Sequence, residues 1–173
     1  AVNEKDDELV IFTSEQRLVK DEYEIDQLQQ AVDATSRGFE DMIKVLQKAT
    51  THERGERVVE GAFYTRARAE GNDLGYNTIA AAGSHACVLH WVRNDGRVKN
   101  GELMLIDAGI EMDSYYTADI TRTLPVNGKF TSAQRELYML VYESQKAGFA
   151  AAKAGVTIAD INRACQEVLA NGL

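Results

Sequence analysis

The stretch from Leu103 to Thr123 constrains this chain more than any other. It opens with the apolar run Leu103-Met104-Leu105-Ile106 and ends that run in Asp107-Ala108-Gly109. A short reversal follows, and then Thr117-Ala118-Asp119-Ile120-Thr121-Arg122-Thr123 reads as a second strand. Side chains alternate across a strand, so Thr117, Asp119, Thr121 and Thr123 share one face. A tight reversal brings Asp107 and Asp119 together. Two close carboxylates repel one another, and a divalent cation between them removes that cost. Hard oxygen donors suit Mn²⁺, Mg²⁺, Co²⁺ or Zn²⁺ in a hydrolase, and two such ions can activate water and polarise a carbonyl. The residues alone leave a plainer alternative open. Asp107 can be a turn residue, and Asp119 can simply accept hydrogen bonds from neighbouring threonines.

The elements around this segment follow from periodicity. Between Asp21 and about Lys48, Ile25, Leu28, Val32, Phe39, Met42, Ile43 and Leu46 mark one helical stripe. Thr50-Thr51 offers an N-cap for a second helix reaching about Glu70, and Gly71-Asn72-Asp73 ends it. Strand-like runs follow at Tyr76–Ala82, Cys87–Val92, Glu102–Ile106 and Tyr115–Leu124, with Pro125 closing the last. Thr131 caps a long helix that Gly155 ends, and Thr157 caps a final one. Residues 1–20 contain one apolar run, Leu9-Val10-Ile11-Phe12, and read as a linker, the tail of an upstream domain, or a single strand. The order helix, helix, strands, helix, helix predicts an α+β fold, a mainly antiparallel sheet with helices on one face.

Composition narrows the partners. A net charge of −8 disfavours nucleic acid and anionic membrane, both of which reward Lys and Arg. No apolar run is long enough to span a bilayer. Cys87 and Cys165 lack CxxC spacing and are expected to be reduced, buried thiols of a cytoplasmic protein. The first residue is Ala, which leaves a processed or excised start open. HExxH, GxSxG, Walker and GxGxxG motifs are absent, and three dispersed histidines have no zinc-triad spacing.

His90 falls in Val88-Leu89-His90-Trp91, read as strand, where it is either a packed residue or a donor to substrate or a developing oxyanion. His85 follows Gly83-Ser84 in a loop, exposed or in reach of substrate, and His52 reads as a helix-start residue. Tyr76 is either an aromatic anchor or a hydroxyl that supports a carboxylate ligand.

Together these pieces resemble a known family. Tyr76-Asn-Thr-Ile79, Val88-Leu-His-Trp91, Asn100-Gly-Glu-Leu-Met-Leu-Ile-Asp-Ala-Gly109, Asp119-Ile-Thr-Arg-Thr-Leu-Pro-Val-Asn-Gly-Lys-Phe130 and Gln134-Arg-Glu-Leu-Tyr138 are similar to the Xaa-Pro aminopeptidases and prolidases of the pita-bread metallopeptidase superfamily. The likeness extends over roughly residues 17 to 173. It implies that Asp107 is a bidentate ligand to one metal and that Asp119 bridges two. It implies further that His90 contacts substrate and that Tyr76 and Thr121 support the ligands. The cofactors implied are two divalent ions, manganese first, with cobalt or zinc as alternatives. The implied partners are proline-containing peptides, cleaved before proline to release the N-terminal residue.

The family's remaining ligands, a His and two Glu, have no counterpart here, since no His follows His90. Residues 21–173 are therefore expected to form the first half of a pita-bread catalytic domain, a fragment inactive by itself. A missing sheet half would leave apolar surface exposed, which predicts a homo-oligomer. The alternative is a non-catalytic peptide- or protein-binding module on the same fold. The presence of Asp107, Asp119 and His90 argues against it, and against creatine hydrolysis on that fold.

Overall fold

A computed structural model describes residues 3–173. Two compact units divide the chain, residues 1–127 and 128–173.

The first unit begins with helix α1, Glu4–Leu18. The sequence reading allowed a strand at Leu9–Phe12, and the structure corrects this; residues 1 and 2 of that expected tail lie outside the described residues. Asn3 caps α1 and forms a capping box with Asp6, which favours helix from the first turn. Leu9, Val10, Ile11 and Phe12 are all more than 60% exposed.

Helices α2, Glu22–Ala49, and α3, Gly55–Glu70, pack against one another. The buried face of α2 is Ala31, Ala34, Thr35, Gly38, Phe39, Met42, Leu46 and Ala49. Ile25, Val32 and Ile43 of the expected stripe are exposed instead. The cause is close approach. A Cβ on Gly38 would stand 2.5 Å from the Phe63 ring, so α3 comes close to α2 at this glycine, while Phe39 packs edge-on to Phe63 beside it. Thr50 terminates α2 and does not cap α3. Helix α3 starts without a side-chain cap; the Glu56 amide instead donates to the Gly96 carbonyl at 3.1 Å.

Five short strands follow: β1, Asp73–Leu74; β2, Ile79–Ala82; β3, Leu103–Ala108; β4, Ile110–Glu111; and β5, Ile120–Pro125. All pairings are antiparallel, β1 with β4, and β2-β3-β5 in a three-stranded sheet. Strand β3 alternates half-buried and buried residues, with Met104, Ile106 and Ala108 turned to the core. They join Phe39, Met42 and Leu46 of α2 and Val59, Phe63 and Ala67 of α3. The α+β expectation, with helices on one sheet face, is met.

Three expected strands are shorter or absent. Tyr76–Thr78 precede β2, and Tyr115 lies in a turn with φ 65° before β5. Cys87–Val92 is not a strand. A 3₁₀ turn spans Gly83–Cys87 and the residues after it run irregularly; His85 and Trp91 bind a buried carboxyl group through their side chains and Gly96 through its amide. Cys87 is exposed and Cys165 half-buried, so neither thiol is buried as expected.

The second unit is a helical hairpin of α4, Ser132–Ala151, and α5, Ile158–Gly172. Thr131 with Gln134, and Thr157 with Asp160, form the capping boxes that open them. Ser144 Oγ donates to the Cys165 carbonyl at 2.9 Å, and Gly148 lies against the Cys165 sulfur.

Candidate metal centre

Strand register builds the site. Asp107 occupies the fifth position of β3, paired with Ile79 on one side and Thr121 on the other. Directly paired residues point to the same face, so Thr121 stands beside Asp107 on the face away from the core. Asp119 immediately precedes β5 and alternates onto that face with Thr121.

Tyr76 joins the two carboxylates. Its hydroxyl lies 2.5 Å from Asp107 Oδ1 and 3.0 Å from Asp119 Oδ1. The hydroxyl carries one proton, so it lies within reach of both acids but donates to one of them at a time. Burial raises the Tyr76 pKa above its ordinary value, and the hydrogen bond to Asp107 raises it further. The phenol therefore stays protonated and remains a donor. Tyr76 is held in place from behind, because the Gly75 amide donates to the Gly109 carbonyl at 2.8 Å.

Gly109 is the residue that sequence reasoning undervalued. A Cβ there would collide with the Ala118 carbonyl oxygen and approach Tyr76 Cε1 to 3.1 Å. Only glycine allows the end of β3 to lie this close to the residue before Asp119. Its place in Asp-Ala-Gly was the available signal.

His90 is exposed, with φ 54°, and makes no hydrogen bond to either carboxylate among the described residues. His85 is not a free loop residue; its Nδ1 lies 2.8 Å from Glu56 Oε1. Sequence reasoning missed Glu56 altogether.

Asp107 and Asp119 are hard oxygen donors, brought within reach of one hydroxyl and open to solvent on the Asp119 side. That donor set fits a divalent cation. It is not a closed cage. Among the described residues, no group of three or more His, Cys, Asp or Glu converges.

An acid pair at the end of an antiparallel sheet backed by helices is an arrangement suited to a metal-dependent hydrolase. More narrowly, the chain belongs to metallopeptidase family M24, whose family model matches residues 26–173. It is 56% identical over 170 residues to Xaa-Pro aminopeptidase 1 of Streptomyces coelicolor, covering 98% of this chain and 34% of that protein. It is 38% identical over 160 residues to the Xaa-Pro aminopeptidase of Haemophilus influenzae, covering 92% and 36%. The chain thus spans about a third of the length of the curated relatives it matches.

Among solved structures it is similar to a putative aminopeptidase P from Bacillus anthracis, with TM-score 0.82 and 33% identity over 91% of this chain and 37% of that one. It is also similar to zinc-substituted Escherichia coli aminopeptidase P in complex with product, with TM-score 0.81 and 34% identity over 91% and 35%. These likenesses bear out the pita-bread expectation for the part of the fold present here.

Proposed function

We propose that this chain supplies one side of the active site of a metal-dependent exopeptidase that releases the N-terminal residue from Xaa-Pro peptides. The observation that carries the reading is the Tyr76 hydroxyl shared between Asp107 and Asp119. In this reading Asp107 and Asp119 would be the carboxylates that hold the divalent ions, manganese first. When bound, the metal would supply Lewis acidity for peptide hydrolysis. The chain's own residues hold and orient. Tyr76 donates to one ligating carboxylate at a time, with Asp107 the nearer, and Thr121 flanks Asp107 across the strand pair. His90 donates a hydrogen bond to substrate.

Two carboxylates hold a metal weakly, so the proposal includes ligands from beyond residues 3–173 and an inactive 173-residue chain. Self-association of that chain, residence in the cytoplasm, and residues 1–20 as a linker belong to the same proposal.

The test uses the whole protein loaded with Mn²⁺ and a short Xaa-Pro peptide. Cleavage before proline is expected, abolished by Asp119→Ala. Full activity in that variant overturns the ligand assignment. Asp119-dependent cleavage by the 173-residue chain alone overturns the claim that the site is incomplete there. Peptide binding without cleavage by the whole protein points instead to a binding module.

A further inference from the structure

A second carboxylate, outside the acid pair, gathers the segment that carries His90. Glu56, in the first turn of α3, has no exposed surface. Both its oxygens are engaged. Oε1 accepts from the Ala82 amide at 2.9 Å and from His85 Nδ1 at 2.8 Å. Oε2 accepts from Trp91 Nε1 at 3.0 Å and from the Gly96 amide at 2.7 Å. With its proton on Nδ1, His85 is the fourth donor around this carboxyl group. The His85 ring stacks on Trp91 with centroids 3.9 Å apart. Gly96 leaves the room this requires, since a Cβ would stand 2.6 Å from the His85 ring and 2.9 Å from the Glu56 carboxyl carbon.

One buried carboxyl group therefore fixes four points between Ala82 and Gly96, and His90 lies among them. Asn94 adds a second anchor. Fully buried with φ 46°, its side chain accepts from the Ala80 amide at 3.0 Å. It donates to the Thr78 carbonyl at 2.8 Å and to Glu60 Oε1 at 2.9 Å. Between these anchors His90 keeps φ 54°, in the left-handed region that residues with a side chain adopt uncommonly. Trp91, its immediate neighbour, is the chain's only tryptophan and is bound to Glu56.

We propose that Glu56 is a positioning residue of the peptidase: its carboxylate fixes the Ala82–Gly96 segment through His85, Trp91 and Gly96, and so presents His90 to substrate. The inference rests on the peptidase reading for what His90 does. Glu56 itself touches no substrate.

The test uses the whole Mn²⁺-loaded protein. Glu56→Gln keeps the shape but turns an amide NH₂ toward groups that are themselves donors. Its kcat/KM for an Xaa-Pro peptide is expected to fall by between about tenfold and 100-fold, as small misplacements of a catalytic group do. In a His90→Ala background the same substitution is expected to cost less than about twofold, because coupled residues are not additive. Mn²⁺ affinity, read by calorimetry, stays within about twofold of the parent in Glu56→Gln. Equal losses in the two backgrounds overturn the proposal.

A second readout needs no activity. In metal-free protein labelled with ¹³C-histidine, the His90 resonance, assigned by its loss in His90→Ala, shifts in Glu56→Gln. An unchanged resonance overturns the proposal whatever the rates do. If the parent protein cleaves no Xaa-Pro peptide, the peptidase reading fails, and this spectrum alone decides the anchoring. If Glu56→Gln does not fold, Trp91→Phe removes one donor and keeps the ring on His85. A loss confined to protein that retains His90 supports the proposal, and an additive loss overturns it.

Discussion

Gly109→Ala tests the strand approach on which the acid pair depends. Gly109 is buried between the end of β3 and the start of β4. An alanine Cβ would overlap the Ala118 carbonyl oxygen and stand 2.6 Å from its carbonyl carbon. Ordinary contact between carbons is about 3.5–4.0 Å, so Ala118 must retreat by about 1 Å or more. It does not move freely, because its amide donates to the Ile110 carbonyl at 3.2 Å. Overpacking of this kind costs about 1–3 kcal/mol. Loss of glycine's freedom in the unfolded chain offsets about 0.4–1 kcal/mol, so the net effect is destabilising. The displacement also reaches Asp119, the next residue, whose 3.0 Å contact with Tyr76 would lengthen past hydrogen-bonding range. Urea denaturation of the metal-free chain should show a lower midpoint at unchanged slope. Mn²⁺ titration of the whole protein should show affinity weakened by about tenfold or more. Parental stability together with parental Mn²⁺ affinity would refute the reasoning.

The same denaturation assay should show the opposite sign for Gly61→Ala. Gly61 sits inside α3 with nothing within 4 Å of a Cβ, so a gain of about 0.5–1 kcal/mol is expected, and a loss counts against the packing described. Phe63→Ala empties a fully buried ring site and should cost about 3–5 kcal/mol in that assay. Acid sensitivity should localise to the Arg37, Arg66, Asp41 and Glu70 cluster. Arg37 and then Arg66 hold the Glu70 carboxyl below its ordinary value, and Arg66, helped by Lys44, does the same for Asp41. Depressed carboxyls stabilise the fold above their unfolded values and lose that contribution as pH falls through the folded ones. Thermal midpoints should therefore drop below about pH 4, less steeply in Glu70→Gln, and parallel curves for the two proteins refute the assignment. Hydrogen exchange should find α1 unprotected relative to α3, since a short helix without a packed face is marginal in water.

The acid pair was legible because strand alternation is a local rule. Asp107 and Asp119 each follow from period two along their own strand, and the turn between them is short. Thr121 and the capping boxes at Thr131 and Thr157 were legible for the same reason. Glu56 was not. A Glu in a first helical turn reads as a partner of the helix dipole, and its four donors lie 26 to 40 residues downstream with no shared period. Cys87–Val92 was misread as strand because its composition is apolar, whereas its backbone is bent by tertiary bonds that composition does not encode. The stripe on α2 was partly legible: Phe39, Met42 and Leu46 are buried as the period predicts, whereas Ile25, Val32 and Ile43 are exposed and Ala31, Ala34 and Gly38 complete the buried face.

The alternation of β3 has a consequence for how reliably the site is made. Side chains in a strand repeat every two residues, so a slip by one position exchanges the two faces. In this strand such a slip would turn Asp107 inward, into the core that Met104 and Ile106 now help fill, and expel those two to water. An unpaired carboxylate in that core is far costlier than any lost backbone bond. The fold thus proofreads its own chemistry: a mispaired sheet is rejected by the charge it would bury, and a chain that has completed this core has also set Asp107 on the outer face beside Thr121.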